Sequence, residues 1–350
     1  MDEHENVIGF ETLYRSMEKC KCGVMWKDSV AHYYLNALEE TLKLEQQLKS
    51  CTYRQRATVS FQITAPKPRD VISIAFRDRV YQRSLNDNSI YPQMSRSLIY
   101  DNKACQKGKG TDNARTRLKE FLRKYYLRHG TKGYVLQCDV KGYYAHIPHD
   151  STTEMFRKKL DPWTAERGIE VLDSQYSGDT GYNPGSQMVQ IVGISTLSPA
   201  DHYAKEKLRA KYYIRYMDDF VIISSDKGYL EHCKDAIAQQ LYGIGLSYNE
   251  KKTSIYPLSD GIMFLGFRFR LTKDGKVLMI LNPDNVKRER RKLSRLVNKY
   301  KHGETTKEKV YECYNGWKNH AEHGNSTLLI ARMDAYLKEM LEVKDVSKAQ

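Results

Sequence analysis

The sequence lacks the features of a membrane protein or a secreted protein. It has no apolar run near the roughly 20 residues that a membrane-spanning helix needs. Its polar start, MDEHENVIGF, has no hydrophobic segment of a secretory signal, and its seven cysteines are an odd number. We therefore expect a reduced, cytoplasmic protein with no membrane partner. Apolar residues at 40% and charged residues at 29% favour a globular chain, and the length of 350 residues favours two or three packed subdomains.

Negative charge is in deficit, and phenylalanine is scarce beside tyrosine. Lysine and arginine number 57 against 43 acidic residues, which leaves a net charge of +14. Such a surplus attracts polyanions, so nucleic acid is the first partner to consider, with a merely soluble basic protein as the alternative. The 26 tyrosines against 9 phenylalanines suit a groove in which rings stack on bases, although tyrosine is also common in cores and on surfaces.

Cysteine spacing gives little support for a metal site. Cys20 and Cys22 form a C-x-C pair with no second pair at zinc-finger spacing. A zinc site there is the less favoured interpretation.

The N-terminal half is predicted to be mainly helical. Apolar residues three and four apart predict an amphipathic helix from Asp28 to Leu48. The segment VSFQITAPKPRDVISIAF predicts a strand, a turn at PKP and a second strand. From there to about residue 130 the pattern is helical and basic.

Two predicted strands carry acidic residues at their ends. The stretch GYVLQCDVKGYYAHI begins with an apolar run and turns polar after Asp139, which places this residue at a strand end. The segment YYIRYMDDFVIIS predicts a hairpin whose tip carries Asp218 and Asp219. An isolated pair of aspartates is more often a surface turn. Carboxylates from two such places can also share a pair of hard divalent cations, as phosphoryl transfer requires.

The remaining segments complete the expected element order. A long helix is predicted from Gln187 to Leu208, apolar at first and charged from Asp201. The run GIMFLGFRFRLTKDGKVLMI predicts a hairpin that turns at Asp274 and Gly275. From Pro283 onward the pattern is helical and strongly basic, and KRERRKLSRLVNKYK holds eight cations in fifteen residues.

Several segments, in order, resemble reverse transcriptases. RYMDDFVII resembles the YxDD box of that family, and DVKGYYAHI resembles its first catalytic strand. Upstream, PKPRDVISIAFRDRVYQRSL and NKACQKGKGTDNARTRL resemble the two fingers motifs. GSQMVQIVGISTLSPADHYAKEKL resembles the template-positioning loop and helix, GLSYNEKKTSIYPL the lysine motif, and IMFLGFRF the primer grip. The resemblance covers nearly the whole chain.

This resemblance implies a set of catalytic and nucleotide-binding residues. Two Mg²⁺ ions, with Mn²⁺ as a substitute, would be held by Asp139, Val140, Asp218 and Asp219. Lys252 would be the catalytic acid that protonates pyrophosphate, with the adjacent Lys251 as the alternative. The residues expected at the incoming nucleotide are Lys107, Lys109, Tyr144 and Gln187. The ring of Tyr144 would exclude a 2′ hydroxyl and so favour dNTPs.

The resemblance also implies a binding path for template and primer. The expected residues are Arg77, Gln190, Tyr216, Met217, Phe264, Leu265, Gly266, Arg288, Arg291 and Arg295. The three arginines of the last basic segment are expected to track phosphates rather than read bases. Trp317 is expected in the core of the thumb.

Three positions depart from the family pattern. Gln106 stands where many relatives carry an arginine for the triphosphate, and Val189 replaces a small hydroxyl residue in the template loop. Met217 occupies the variable position of the acidic box, where bacterial relatives often carry alanine. Because all three carboxylates remain, these changes indicate a specialised polymerase rather than an inactive one.

The fold implied is α+β, a right-hand polymerase with fingers, a palm built on an antiparallel sheet with helices on one face, and a helical thumb. The expected borders are an N-terminal helical extension over 1–50, fingers over 51–130, a palm over 131–270 and a thumb over 271–350. The expected function is RNA-directed DNA polymerisation. An RNA-dependent RNA polymerase and a non-catalytic nucleic-acid binding module are the alternatives.

The closest resemblance is to the compact bacterial reverse transcriptases of retrons, diversity-generating elements and antiphage defence systems. It implies an RNA template, a DNA primer or product, and dNTPs as partners. The template would be a dedicated noncoding RNA, and a partner protein or further copies of the chain are also expected as candidates.

Overall fold

A computed structural model describes residues 4–64, 68–183 and 185–342 of the chain. Helices dominate up to residue 130, as predicted, with one β-hairpin among them. In chain order the elements are α1 (Glu5–Ile8), α2 (Phe10–Lys21), α3 (Asp28–Leu35), α4 (Ala37–Lys49), β1 (Val59–Ile63), β2 (Arg69–Ser73), α5 (Phe76–Leu85), α6 (Tyr91–Met94) and α7 (Thr111–His129).

The remaining elements alternate strands and helices before a helical C-terminal part. They are β3 (Tyr134–Asp139), α8 (Tyr143–His146), α9 (His149–Lys159), α10 (Pro162–Asp173), α11 (Gln187–Thr196), α12 (Ser198–His202), β4 (Tyr212–Tyr216), β5 (Asp219–Ser224), α13 (Lys227–Tyr242), β6 (Ser254–Pro257), β7 (Ile262–Phe264), β8 (Phe267–Leu271), β9 (Val277–Leu281), α14 (Pro283–Lys301), α15 (Lys307–Glu322) and α16 (Thr327–Glu342). Within the described residues the strands form three sheets, ordered β1-β2, β4-β5-β3-β6 and β7-β8-β9.

The chain divides into two compact units. The first comprises Met1–Gly110, Gln137–Ile222 and Glu231–Ser254, and the second comprises Thr111–Leu136, Ile223–Leu230 and Ile255–Gln350. Within the parts of the chain that the structure describes, no helix has both the length and the apolar character to cross a membrane. The predicted borders at 50, 130 and 270 stay predictions.

The N-terminal helices of the first unit pack α2 against α4 and α5. Leu13, Met17 and Leu44 are fully buried there. The single helix predicted from Asp28 to Leu48 is wrong, because α3 and α4 are separated at Asn36. The Asn36 side-chain amide donates to the His32 carbonyl at 3.0 Å, so it competes with the backbone bonds that would continue α3.

The two strands predicted near residue 60 are confirmed. β1 pairs with β2 in antiparallel register, with Val59 opposite Ser73 and Ile63 opposite Arg69. The central part of the predicted PKP turn, residues 65–67, lies outside the described residues.

The helix predicted from Gln187 to Leu208 is also interrupted. α11 ends at Thr196, α12 begins at Ser198, and a π-helical turn follows α12. Pro199 at the start of α12 has no N–H to continue the bonding of α11. Asp201, expected to begin a charged face, is instead fully buried. Its partner is Arg215 of β4, which lies too far along the chain for a local pattern to reveal.

A three-stranded antiparallel sheet, β7-β8-β9, belongs to the second unit. The predicted turn at Asp274 and Gly275 is confirmed between β8 and β9. The additional strand β7 was not predicted, because its three residues are too few to show alternation. Leu265 and Gly266 join β7 to β8 with φ values of 48° and 86°, the left-handed conformations of a tight hairpin turn.

The helices α14, α15 and α16 of the second unit confirm the predicted helical C-terminal part. Leu293 and Val297 of α14 are buried one turn apart. Trp317 of α15 is 7% exposed, and its indole N–H donates to Asn285 at 2.8 Å, so it occupies a core position.

Candidate active site

Three carboxylates converge in the first unit. Asp139 ends β3, and Asp219 begins β5, the strand beside β3 in the sheet. Met217 and Asp218 form the tip of the hairpin between β4 and β5, where Met217 has a φ of 57°. The side chains of Asp139 and Asp219 lie within hydrogen-bonding reach, and Asp218 interacts electrostatically with both. The structure thus brings together all three acids that the sequence singled out.

Burial and like charge make this cluster electrostatically unfavourable without a cation. Burial, followed by the negative charges of Asp218 and Asp139, raises the pKa of Asp219 to about 7. Burial and the charge of Asp139 also raise the pKa of Asp218. A protein keeps such an arrangement when a positive group compensates it.

Lys252 is a cation that already reaches the cluster. Its ammonium donates to Asp139 Oδ2 at 2.7 Å, and this bond raises the pKa of Lys252. Asn249 donates from its side chain to Asp139 Oδ1 at 2.9 Å, so both carboxylate oxygens of Asp139 have a donor. The Asn249 N–H also donates to the Asp139 carbonyl at 2.7 Å. Asn249 was not identified from the sequence, since nothing in YNEKK separates it from an ordinary turn residue.

The donor set fits a divalent cation chemically. Carboxylate oxygens are the ligands that Mg²⁺ prefers, and burial followed by the neighbouring carboxylates raises the pKa of Asp218 and of Asp219. Within the described residues, however, no group of three His, Cys, Asp or Glu side chains stands in a ready metal-holding arrangement. Val140, the other predicted metal position, is buried and pairs with Tyr248 in an isolated antiparallel bridge.

Tyr144 lies beside the hairpin tip. Its hydroxyl donates to the Met217 sulfur at 3.5 Å. Its ring lies against Gly193 of α11, where an added Cβ would come within 2.6 Å of the Tyr144 hydroxyl oxygen. Gly193 was missed in the sequence because a helical glycine carries no chemical signal of its own.

The residues predicted to bind the incoming nucleotide and the templating base are only partly brought together. Lys107, Gln187 and Gln190 line one cavity of the first unit. The Lys109 ammonium instead donates to the Asn102 carbonyl at 3.0 Å and to Gln106 Oε1 at 2.8 Å. Burial lowers the pKa of Lys109. In this conformation Lys109 therefore stabilises its own loop. One of its acceptors is the side chain of Gln106, the residue that stands where many relatives carry an arginine.

Two other positions of the first unit are engaged within the protein. All three guanidinium nitrogens of Arg77 donate to protein acceptors, namely Gln47, the Arg54 carbonyl and Asp78. Its predicted contact with template would require breaking some of these bonds. Val189 is buried, and its N–H donates to the Ser186 hydroxyl, which caps α11 ahead of Gln190.

The cysteine pair has a structural environment. Cys20 is buried and its thiol donates to the Arg79 carbonyl, whereas the thiol of Cys22 donates to the Glu18 carbonyl. Burial raises the pKa of Cys20, which disfavours the thiolate that binds metal.

The predicted primer-grip and thumb residues belong to the second unit. Phe264 is buried, and Leu265 and Gly266 form the turn into β8. The Leu265 carbonyl accepts from Arg115 at 3.2 Å. Three exposed arginines follow one another at helical spacing on α14, away from the buried Leu293 and Val297: Arg288, Arg291 and Arg295.

Comparison with known proteins identifies the family. Residues 66–269 match the family model described as reverse transcriptase (RNA-dependent DNA polymerase). No curated protein matches the chain. Solved structures similar to it include an apo telomerase from Candida tropicalis truncated from its C-terminal domain, at 14% identity and a TM-score of 0.46. That match covers 69% of this chain and 60% of the telomerase.

Two further structures show similar coverage. A Candida albicans telomerase in complex with a telomeric RNA fragment is 11% identical, with a TM-score of 0.49, over 74% of this chain and 53% of that one. A Sicinivirus RNA-dependent RNA polymerase is 14% identical, with a TM-score of 0.45, over 71% of this chain and 57% of that one. The chain thus spans between about half and three fifths of these proteins.

The family match spans more than half of the sequence and includes all three converging carboxylates. The mixture of helices with antiparallel sheets is the α+β arrangement expected of a right-hand polymerase fold. The chain belongs to the reverse transcriptase (RNA-dependent DNA polymerase) family, and its fold and family are those of a nucleic-acid polymerase.

Proposed function

We propose that the chain is an RNA-directed DNA polymerase that adds dNTPs to a primer end by two-metal phosphoryl transfer. The convergence of Asp139, Asp218 and Asp219 beside Lys252 is the observation that supports this most strongly. A module that only binds nucleic acid gains nothing from one buried and two partly buried acids that repel one another and an anionic ligand.

The chain's own residues have separate roles in the proposed reaction. Asp139, Asp218 and Asp219, with the backbone at Val140, would hold two Mg²⁺ ions, for which Mn²⁺ can substitute. When bound, the ions supply activation of the 3′ hydroxyl and charge neutralisation of the pyrophosphate. Lys252 donates a proton to the departing pyrophosphate, which requires its ammonium to leave Asp139.

Lys252 offers a direct test of this division. Replacing Lys252 with methionine is expected to lower kcat by about 100-fold, because general-acid assistance to the leaving group is lost. Single-turnover incorporation on a primed RNA template measures the effect. Lys251→Met is the matched control and should stay near wild type. A larger loss in the Lys251 variant would transfer the catalytic role to that residue.

The exposed arginines of α14 give a prediction for nucleic-acid affinity. Changing Arg288, Arg291 and Arg295 together to glutamine should make the negative slope of log K against log salt shallower by about two to three, since three phosphate contacts are lost. Fluorescence anisotropy of an RNA–DNA duplex at several salt concentrations measures this slope. Lys338→Gln on α16 is the control, and an unchanged slope in the triple variant would contradict a phosphate-tracking role.

The biological setting follows from the sequence resemblance alone. We place the enzyme in the cytoplasm of a bacterium, as a compact reverse transcriptase of the retroelement or antiphage defence type. Its template would be a dedicated noncoding RNA, and a partner protein or further copies of the chain would complete the assembly. Sequencing the nucleic acid that copurifies with the protein tests the template assignment.

One experiment separates the polymerase from its alternatives. Purified protein is given a primed RNA template and Mg²⁺ with either dNTPs or NTPs, and Asp218→Ala is run in parallel. We expect extension with dNTPs, which the Asp218 variant loses while it keeps its affinity for RNA. Preferential use of NTPs would indicate an RNA polymerase. Absence of extension in the wild type, with RNA binding intact in both proteins, would indicate a binding module.

A further inference from the structure

A buried ion pair lies directly behind the hairpin tip. Arg215 of β4 is 1% exposed and Asp201 of α12 is fully buried. The guanidinium meets the carboxylate through two bonds, from Nε to Oδ1 at 2.7 Å and from Nη2 to Oδ2 at 2.6 Å. Tyr213, on the same face of β4, also donates its hydroxyl to Asp201. This two-point contact fixes the plane of the guanidinium.

The guanidinium of Arg215 also donates hydrogen bonds to two backbone carbonyls. Nη1 donates to the Met217 carbonyl at 2.8 Å, and Nη2 donates to the Ile194 carbonyl of α11 at 2.8 Å. The backbone of Arg215 is also held, because its N–H donates to the Asp101 carbonyl and its carbonyl accepts from Lys103. Arg215 therefore joins the helix that supports Tyr144 to the tip that carries the acids.

The Met217 carbonyl is a sensitive point for the site. It belongs to the planar peptide group that joins Met217 to Asp218. A hydrogen bond that fixes this oxygen therefore also fixes the orientation of the peptide group that precedes Asp218. Met217 is in the left-handed region, with a φ of 57°, a conformation that L residues keep only where their surroundings enforce it. Without a donor on the Met217 carbonyl, the tip is free to relax to an ordinary turn.

We propose that Arg215, locked by Asp201, is a positioning residue that orients the peptide group ahead of Asp218 and so sets the mutual placement of the three carboxylates. The inference rests on the proposed polymerase function. A purely structural pair is a poor alternative, since apolar residues of similar volume generally replace a buried ion pair without loss of stability. Arg215 donates to the carbonyls of Met217 and Ile194, and apolar side chains could not make these hydrogen bonds.

The test compares variants that remove the charge with one that keeps it. The apolar variant is Arg215→Met with Asp201→Leu and Tyr213→Phe, which removes the three polar side chains of the network together and leaves the Met217 carbonyl without the Arg215 donor. The charge-keeping variant is Arg215→Lys, whose single ammonium can pair with Asp201 but cannot also hold both carbonyls. Asp161→Ala, which removes the N-cap of α10, is the control for a general loss of stability.

We expect the apolar variant to fold, with kcat reduced about 100-fold and the affinity for primed template unchanged, because about 1 Å of misplacement has this effect on a reaction. The Mg²⁺ concentration for half-maximal rate should rise about tenfold in both Arg215 variants, as the carboxylates lose their common orientation. Mn²⁺ binding to the free protein, titrated by electron paramagnetic resonance, should weaken in parallel. The Asp161 variant should melt earlier with unchanged metal dependence.

Wild-type kcat and metal dependence in either Arg215 variant would overturn the proposal. If the apolar variant does not fold, the Lys variant decides the question on the same criteria. Failure of the wild-type protein to incorporate any nucleotide would instead refute the polymerase function, so the two failures are distinguishable.

Discussion

Asp219→Asn is expected to reduce nucleotide incorporation by about 10³-fold while raising the thermal stability of the metal-free protein. The loss of activity follows because asparagine is a neutral and weaker ligand, and the site then loses several kcal/mol of transition-state charge stabilisation, of the order of 4 kcal/mol. The gain in stability follows because the substitution removes one of three acids that repel one another in a partly buried cluster.

The stability gain should depend on pH with a definite sign. Burial and the charges of Asp218 and Asp139 raise the pKa of Asp219 to about 7, whereas the unfolded chain titrates this group near pH 4. Between these values the folded state holds more protons than the unfolded state, so wild-type stability falls as the pH rises. Asparagine does not titrate. The advantage of the variant should therefore be absent below about pH 4 and complete above about pH 7.

Thermal unfolding with a chelator present, measured at pH 5 and pH 8, tests this prediction. The variant should melt on the order of 3 °C above wild type at pH 8, with a smaller difference at pH 5. Asp179→Asn, at an exposed position of the first unit, is the matched control and should show no such difference. Equal melting temperatures of Asp219→Asn and wild type at both pH values would mean that the acids do not repel one another in the folded state.

The three converging acids were predictable because each is marked by a local pattern. Asp139 follows an apolar run of strand length, and the acids at 218 and 219 interrupt a β-rich segment. Such signals depend only on neighbours along the chain, and α14 was predictable for the same reason. Convergence of the strands in space came only from the family resemblance, since periodicity does not specify which strands are adjacent.

The incorrect predictions share a different cause. The predicted helix becomes charged from Asp201, and a carboxylate in a helix is usually exposed. The burial of Asp201 depends on Arg215, and neither residue signals the other in the sequence. The breaks at Asn36 and Leu197 arise from a side-chain bond and from Pro199, both of which compete with a helical pattern that continues across them.

If Tyr144 selects the sugar as the family resemblance implies, Tyr144→Ala is expected to lower the preference for dNTPs over NTPs by about 100-fold, because the ring that would exclude a 2′ hydroxyl is removed. Its position favours this role. The Tyr144 hydroxyl donates to the Met217 sulfur at the hairpin tip, and the hydroxyl end of its ring lies against Gly193 of α11. The ratio of kcat/KM for a dNTP to that for the matching NTP, on one primed RNA template, measures the effect.

Tyr144→Phe is the matched control for the hydroxyl. It keeps the ring and loses only the weak bond to the Met217 sulfur, so discrimination should stay near wild type. If the phenylalanine variant loses as much discrimination as the alanine variant, selection depends on the hydroxyl rather than on the bulk of the ring.

Gly193→Ala tests the contact between the Tyr144 ring and α11. Alanine favours a helix over glycine by about 1 kcal/mol, so on helix propensity alone this substitution should be harmless. The added Cβ, however, would lie 2.6 Å from the Tyr144 hydroxyl and 2.9 Å from two ring carbons, and the ring must move. A ring displaced into the nucleotide site should lower kcat/KM for dNTPs by about tenfold while NTPs remain excluded. That result would show that α11 sets the position of the ring, and it would differ from Tyr144→Ala, which is expected to admit NTPs. Unchanged dNTP kinetics would mean that the ring has room to move without entering the site.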